Sequence, residues 1–200
     1  MADRRTEILD GALHVLAEHG MRGLTHRAVD AVAGIPQGST SYYFRSRSAL
    51  VAGCVERLLE LDLAFESAAV SAVGGDIRAL VDALVDAGVA MATTRRHRTI
   101  ARYELSLAAV RDPQLRAALV RGGDIIRAIG ADVLRALGAT DADRSAEAIV
   151  AIIDGMVFTA LVRGPHEPAA LAAAWRPPLE RAVRALPGIA WDVAQDTKES

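Results

Sequence analysis

Residues 25–47 read THRAVDAVAGIPQGSTSYYFRSR. Thr25 suits the N-cap of a short helix, because its hydroxyl can accept a hydrogen bond from an amide two or three residues on. Ala28, Val29 and Val32 then fall on one face, and the spacing predicts a helix over 25–33 that Gly34 ends. A further short helix is predicted from Pro36 or Gln37 to Phe44. Two short helices around a glycine-containing turn match the helix-turn-helix plan. Between Gln37 and Tyr43 there is no large aliphatic residue, and the helix propensity is poor. Such a segment has little reason to be helical except for what its polar face touches. A surface loop is the plain alternative for a Ser/Thr/Gly/Tyr-rich stretch. The helix and turn before it, and the capped long helix after it, favour the motif.

Outward from this stretch the pattern is helical throughout. On the N-terminal side, Ile8, Leu9, Ala12, Val15 and Leu16 share one face of a helix from Asp3 or Thr6 to His19, with Gly20 as its stop. On the C-terminal side, Ser46 caps a longer helix carrying Leu50, Cys54, Leu58, Leu61 and Phe65. After Val73-Gly74-Gly75 the helices lengthen and become more apolar. They are predicted at 76–93 and 98–111, then at 113–137 once Asp112-Pro113 has broken the chain. Two more follow at 141–163 and 168–186, and the tail from Pro187 is expected to fray. The fold class is therefore all-α: an N-terminal three-helix head over residues 1–46 and a larger helical body over 47–200.

Composition agrees with that class and excludes others. Apolar residues make up 52% of the chain and aromatics only 4%, so the core must be Ala, Leu, Val and Ile. The formal net charge is −2, so attraction to nucleic acid has to come from local geometry. A single cysteine, Cys54, precludes an internal disulfide and reads as a small core residue in a cytoplasmic protein. The N-terminus runs into an amphipathic pattern and not into an apolar signal core. No apolar run reaches the roughly 18 residues of a membrane span. The longest, 148–162, is interrupted by Asp154 and Gly155, so no membrane association is expected. There is no zinc-ligand spacing, phosphate-binding glycine loop or nucleophile elbow, and His14, His19, His26, His97 and His166 are scattered. Neither cofactor, metal nor enzymatic activity is expected. A helical adaptor that binds protein is the alternative to a DNA-binding reading.

Within the motif each side chain suits one kind of contact. Gln37 can pair bidentately with adenine in the major groove, and Gly38 lets the backbone approach closely. Ser39, Thr40 and Ser41 offer short hydroxyls, while Tyr42 and Tyr43 offer phenols to phosphate oxygens. Thr25 at a helix N-terminus, with Arg27 and Arg47, suits the phosphate chain.

The stretch GLTHRAVDAVAGIPQGSTSYYFRSRSALV, residues 23–51, resembles the DNA-binding head of the TetR family of bacterial one-component regulators. That pattern opens on Gly-Leu-Thr and has an Ala-Gly-Val turn, an aromatic pair near Tyr-x-Phe, and a Ser-Lys pair. Thr25, Ala33-Gly34-Ile35, Tyr42-Tyr43-Phe44 and Ser46-Arg47 stand at those positions, while Pro36 and Ser41 depart from it. The resemblance is specific over about residues 4–60 and architectural beyond. It implies a transcriptional regulator, most often a repressor, that binds a near-palindromic double-stranded DNA operator as a homodimer. It further implies that helices 141–163 and 168–186 build a four-helix bundle with their copies, and the near-unbroken apolar character of Ile149–Leu161 agrees. A small-molecule effector of unknown identity is implied among the middle helices of the body. The candidate ligand-binding positions are Arg102, Tyr103, Ser106, Asp154 and Phe158.

Overall fold

A computed structural model of the chain describes residues 3–164 and 166–191. Among the described residues there are nine helices and no strand: α1 (Arg4–Gly23), α2 (His26–Val32), α3 (Ser39–Tyr43), α4 (Arg47–Val73), α5 (Ile77–Ala92), α6 (Arg96–Ala109), α7 (Pro113–Ala136), α8 (Ala142–Arg163) and α9 (Pro168–Arg184). They form two compact units. One comprises the residues up to Phe65 with Arg95–Ile125, and the other Glu66–Thr94 with the residues from Ile126 on.

The first unit holds the head together with α6, and its core is aliphatic. Ile8, Leu16, Leu24, Val29, Leu50 and Leu105 are fully buried, each worth roughly 1.5–3 kcal/mol of transfer free energy. Val32, expected on the buried stripe of α2, is instead 50% exposed. The seven-residue helix turns only Val29 and Asp30 fully inward. Cys54 is buried as a core residue, and burial pushes its thiol up to about 12. Gly20 ends the regular first stretch of α1, as expected, but the chain resumes a helical turn beyond it. Its φ of 64° and ψ of −172° put a break inside the helix, after which one more turn runs to Gly23. Glycine adopts that conformation without a Cβ clash, which is why the break falls there.

Two contacts fix how α1 meets α6. The rings of His14 and His97 stack with centroids 4.4 Å apart. Seven residues further along both helices, the Glu104 carboxylate accepts a hydrogen bond from the Met21 amide at 3.2 Å. The shared seven-residue advance means that α1 and α6 run in the same direction side by side.

In the second unit α5, α8 and α9 pack around Val81, Val85, Val157, Leu179 and Val183. Gly88 leaves room for Trp175, whose ring would lie 3.1 Å from a Cβ added there. The tail is not frayed where it first leaves α9. Pro187 accepts a hydrogen bond from the Thr140 amide at 2.9 Å, and the Arg78 and Arg184 guanidiniums lie over the Trp191 ring. These contacts correct the expectation for residues 187–191, whereas 192–200 lie outside the described residues.

One helix is more apolar on average than its interrupted run suggests. The most apolar 18-residue window of α8 has a mean hydropathy of 1.8, enough by length and composition to cross a membrane. Asp154 and Gly155 interrupt the run of consecutive apolar residues but hardly lower its average. Its inner face, including Ala146, Ile149, Val157 and Ala160, is buried in the unit, while Ile152, Phe158 and Val162 face outward.

Candidate nucleic-acid interface

Thr25 caps α2 as the sequence predicts, its hydroxyl accepting from the Ala28 amide at 3.2 Å. The next helix is shorter than predicted. It starts at Ser39, because Gly38 occupies the left-handed region at φ 94° and closes a turn that contains Gln37. Glycine has no side chain with which to cap the helix it precedes. Asp30, on α2, does this instead: its carboxylate accepts from the Gly38 amide at 2.7 Å, the Thr40 amide at 2.8 Å and the Thr40 hydroxyl at 2.6 Å. Asp30 is 3% exposed. Burial by itself would raise its pKa, but the hydrogen bonds from Thr40 and Gly38, with the nearby His26, hold the carboxyl below its ordinary range. The far end of α3 is tied down too, with a His26 ring nitrogen 2.8 Å from the Phe44 carbonyl oxygen.

With both ends fastened inward, the rest of α3 faces out. Tyr42 is 73% exposed and Tyr43 40%, their rings edge to face at 5.3 Å. Gln37, Gly38 and Ser41 are exposed beside them, as are Thr25 and Arg27. Three expected residues are placed differently. Thr40 is fully buried against Asp30, so its hydroxyl belongs to the interior of the head. Ser39 is half-buried and donates to the Pro36 carbonyl at 2.6 Å. Arg47, though exposed, donates to the carbonyls of Met21 and Leu24.

Charge over this surface differs in sign from that of the chain. Residues 22–47 contain four arginines (Arg22, Arg27, Arg45 and Arg47) against one carboxylate, Asp30, which is buried. The face is locally basic although the net charge of the chain is −2.

Pattern reading missed Asp30 as a cap and the contact that Glu104 makes. Asp30 stands beside Val29 in the apolar stripe of α2, and nothing in periodicity marks it as the cap of another helix. Glu104 acts on a backbone amide 83 residues away.

The five effector positions are divided between the two units. In the first unit the Arg102 guanidinium meets both carboxylate oxygens of Asp62 at 2.7 and 2.8 Å; Tyr103 is half-buried and Ser106 exposed. In the second unit Asp154 and Phe158 lie on the outward face of α8. That unit also has a cleft of about 420 Å³ between the end of α4 and the end of α7. Val70, Val73, Ile129, Val133 and Leu137 line it, with Asp132 as its one carboxylate, and none of the five is among its walls.

Two family models match the chain: the bacterial regulatory proteins of the tetR family over residues 8–54, and the tetracyclin repressor-like C-terminal domain over residues 75–188. The chain belongs to the TetR family. The chain is 39% identical over 82 residues to the HTH-type transcriptional repressor KstR2 of Rhodococcus jostii strain RHA1, a match spanning 41% of this chain and 40% of that repressor. Among solved structures, the multidrug binding protein EbrR complexed with imidazole is 30% identical with a TM-score of 0.62, over 95% of this chain and 98% of EbrR. A TetR-family member from Streptomyces coelicolor A3 is 27% identical, with a TM-score of 0.67 over 90% of this chain and 98% of the other. A transcriptional regulator of Rhodococcus sp. Rha1, at 21% identity, shares the fold with a TM-score of 0.77 over 94% of this chain and the whole of that one. The family match spans the head and most of the body.

Proposed function

We propose that this TetR-family chain is a cytoplasmic, homodimeric repressor that reads a near-palindromic duplex through α3 and is released from it by a small-molecule effector. The observation that carries the reading is the outward presentation of α3. Asp30 imposes a helical turn that the local sequence would not hold, and what it displays is Gln37, Gly38, Ser41, Tyr42 and Tyr43 on a locally basic surface. Thr25 and Arg27 flank them at the start of α2, where phosphate oxygens would lie. Residues 1–46 serve in this reading as the DNA-binding part, and residues 47–200 take the effector and the second copy. Repression is supported by the name of KstR2, and a small-molecule effector by EbrR, which is described as a multidrug binding protein.

Dimerisation is supported by α8 and α9. Ala148, Ile152, Gly155, Phe158 and Val162 form one exposed stripe on α8, and a Cβ at Gly155 would meet nothing within 4 Å. Such a face is what a close helix–helix seam between two copies requires. A two-fold assembly would read half-sites one helical turn, about 34–36 Å, or a whole multiple apart. Selection of duplexes from a random library by the full-length protein tests the reading. Enrichment of an inverted repeat, with affinity falling steeply as salt rises, is expected. Failure to enrich any duplex would overturn it.

A further inference from the structure

The turn that connects α1 to the helix-turn-helix is gripped on both sides of a single residue. The Met21 amide donates to the Glu104 carboxylate of α6 at 3.2 Å. The Met21 carbonyl accepts from the Arg47 guanidinium at the start of α4, which also donates to the Leu24 carbonyl at 3.3 Å. The arrangement needs Gly20. At φ 64° a side chain would be strained, and its Cβ would sit 3.0 Å from a Glu104 carboxylate oxygen. Four residues beyond Gly20, Leu24 is fully buried, and Thr25 then caps α2, so the position of this turn is passed directly to the motif. On the other side, Ala101 and Leu105 anchor α6 in the core, both fully buried next to the turn of helix that carries Glu104.

We infer that Glu104 and Arg47 are positioning residues for operator binding: together they lock the Met21 peptide and so set the angle at which the helix-turn-helix leaves α1 relative to α6. Glu104 touches neither base nor phosphate in this scheme. It acts through a backbone amide, and it governs which separation of half-sites two heads accept and not which bases they prefer. This rests on the dimeric operator-binding reading above.

The test uses full-length wild type, Glu104→Gln and Glu104→Ala. Each is measured against the duplex enriched by the wild type and against the same duplex with one or two base pairs added to or removed from its centre. Wild type should discriminate sharply among spacings. Glu104→Gln keeps an acceptor oxygen and should retain that discrimination. Glu104→Ala should flatten it by about tenfold, the worth of one charge-assisted hydrogen bond, with base preference inside each half-site unchanged. In the free protein, Glu104→Ala should also speed hydrogen exchange at the Met21 amide by about tenfold, whether or not DNA is present. Retention of wild-type spacing discrimination by Glu104→Ala would overturn the proposal alone. So would equal loss of spacing and base preference, the mark of a merely unfolded head. A wild-type protein that enriches no duplex would overturn the dimeric reading and this proposal with it, even if the Met21 amide responds as expected.

Discussion

Helices α3 and α8 are the two most outward-facing elements of the chain, and they are exposed for opposite reasons. α3 is five residues long, polar, and a poor helix former. It is held in shape by groups outside itself, Asp30 at one end and His26 at the other. α8 has 22 residues and needs no such help, since its length and apolar inner face suffice. On its other face Ile152, Phe158 and Val162 are exposed to differing degrees. In the proposed reading, the polar surface of α3 and the exposed apolar face of α8 take partners of different chemistry. The first suits base edges and phosphates, the second another apolar helix.

The largest effect should come from α8. In the proposed dimer, Phe158→Glu puts a carboxylate on the α8 seam and should weaken dimerisation by about two orders of magnitude, with helicity unchanged. Sedimentation equilibrium checks this, and a variant that dimerises like wild type would remove α8 from the interface. Next comes the cap of α3. Asp30→Ala leaves the Gly38 and Thr40 amides without an acceptor and should cost about 2–3 kcal/mol in urea unfolding, with loss of DNA binding. Asp30→Asn should cost less. The effect has a definite sign in pH. The folded Asp30 pKa lies below its unfolded value, so its contribution is complete above about pH 4 and disappears as pH falls through the folded pKa. The gap between wild type and Asp30→Asn should therefore close only in acid.

Those two predictions mark where sequence reading succeeded and where it stopped. The core helices were legible because their apolar residues recur at helical spacing, and Thr25, Ser46 and Asp76 declare helix starts in their own segments. The start of α3 was misplaced because its cap lies on another helix and Gly38, not Gln37, closes the turn. Gly20 was legible as the end of the first helical stretch, but the extra turn to Gly23 was not, because a positive-φ glycine at a terminus and one at a break look alike in sequence. The contact residues proposed on α3 were half legible. Polarity marked the segment, but only the three-dimensional cap shows that Thr40 turns inward while Ser41 and Tyr42 turn outward. An effector site is harder to read than a helix, because side chains from distant segments must meet before a cavity has walls.

Smaller effects sharpen the contrast within the first unit. Gln37→Ala should relax preference at one base position by about 1 kcal/mol, the low end for a bidentate contact, because Gln37 stands in the turn before α3. A parallel selection with the variant reads this directly. The smallest expected effect lies at the His14–His97 stack. Burial, then the neighbouring His14 and Arg98, lower the His97 pKa, and Asp10 only partly opposes them. Neutral His97 thus favours the folded state. Its contribution is complete above about pH 6.5 and falls as pH drops through the folded value. The melting temperature of wild type should fall further than that of His97→Gln on going from about pH 7.5 to about 5.5.

The central claim is that α3, fastened by Asp30, sits against base edges in two copies. Methylation footprinting on the selected duplex tests it most directly, since guanine N7 lies in the major groove and adenine N3 in the minor. The account predicts guanine N7 protection in two patches, separated by one helical turn or a whole multiple of it. Protection of adenine N3 alone, or a single unpaired patch, would contradict it.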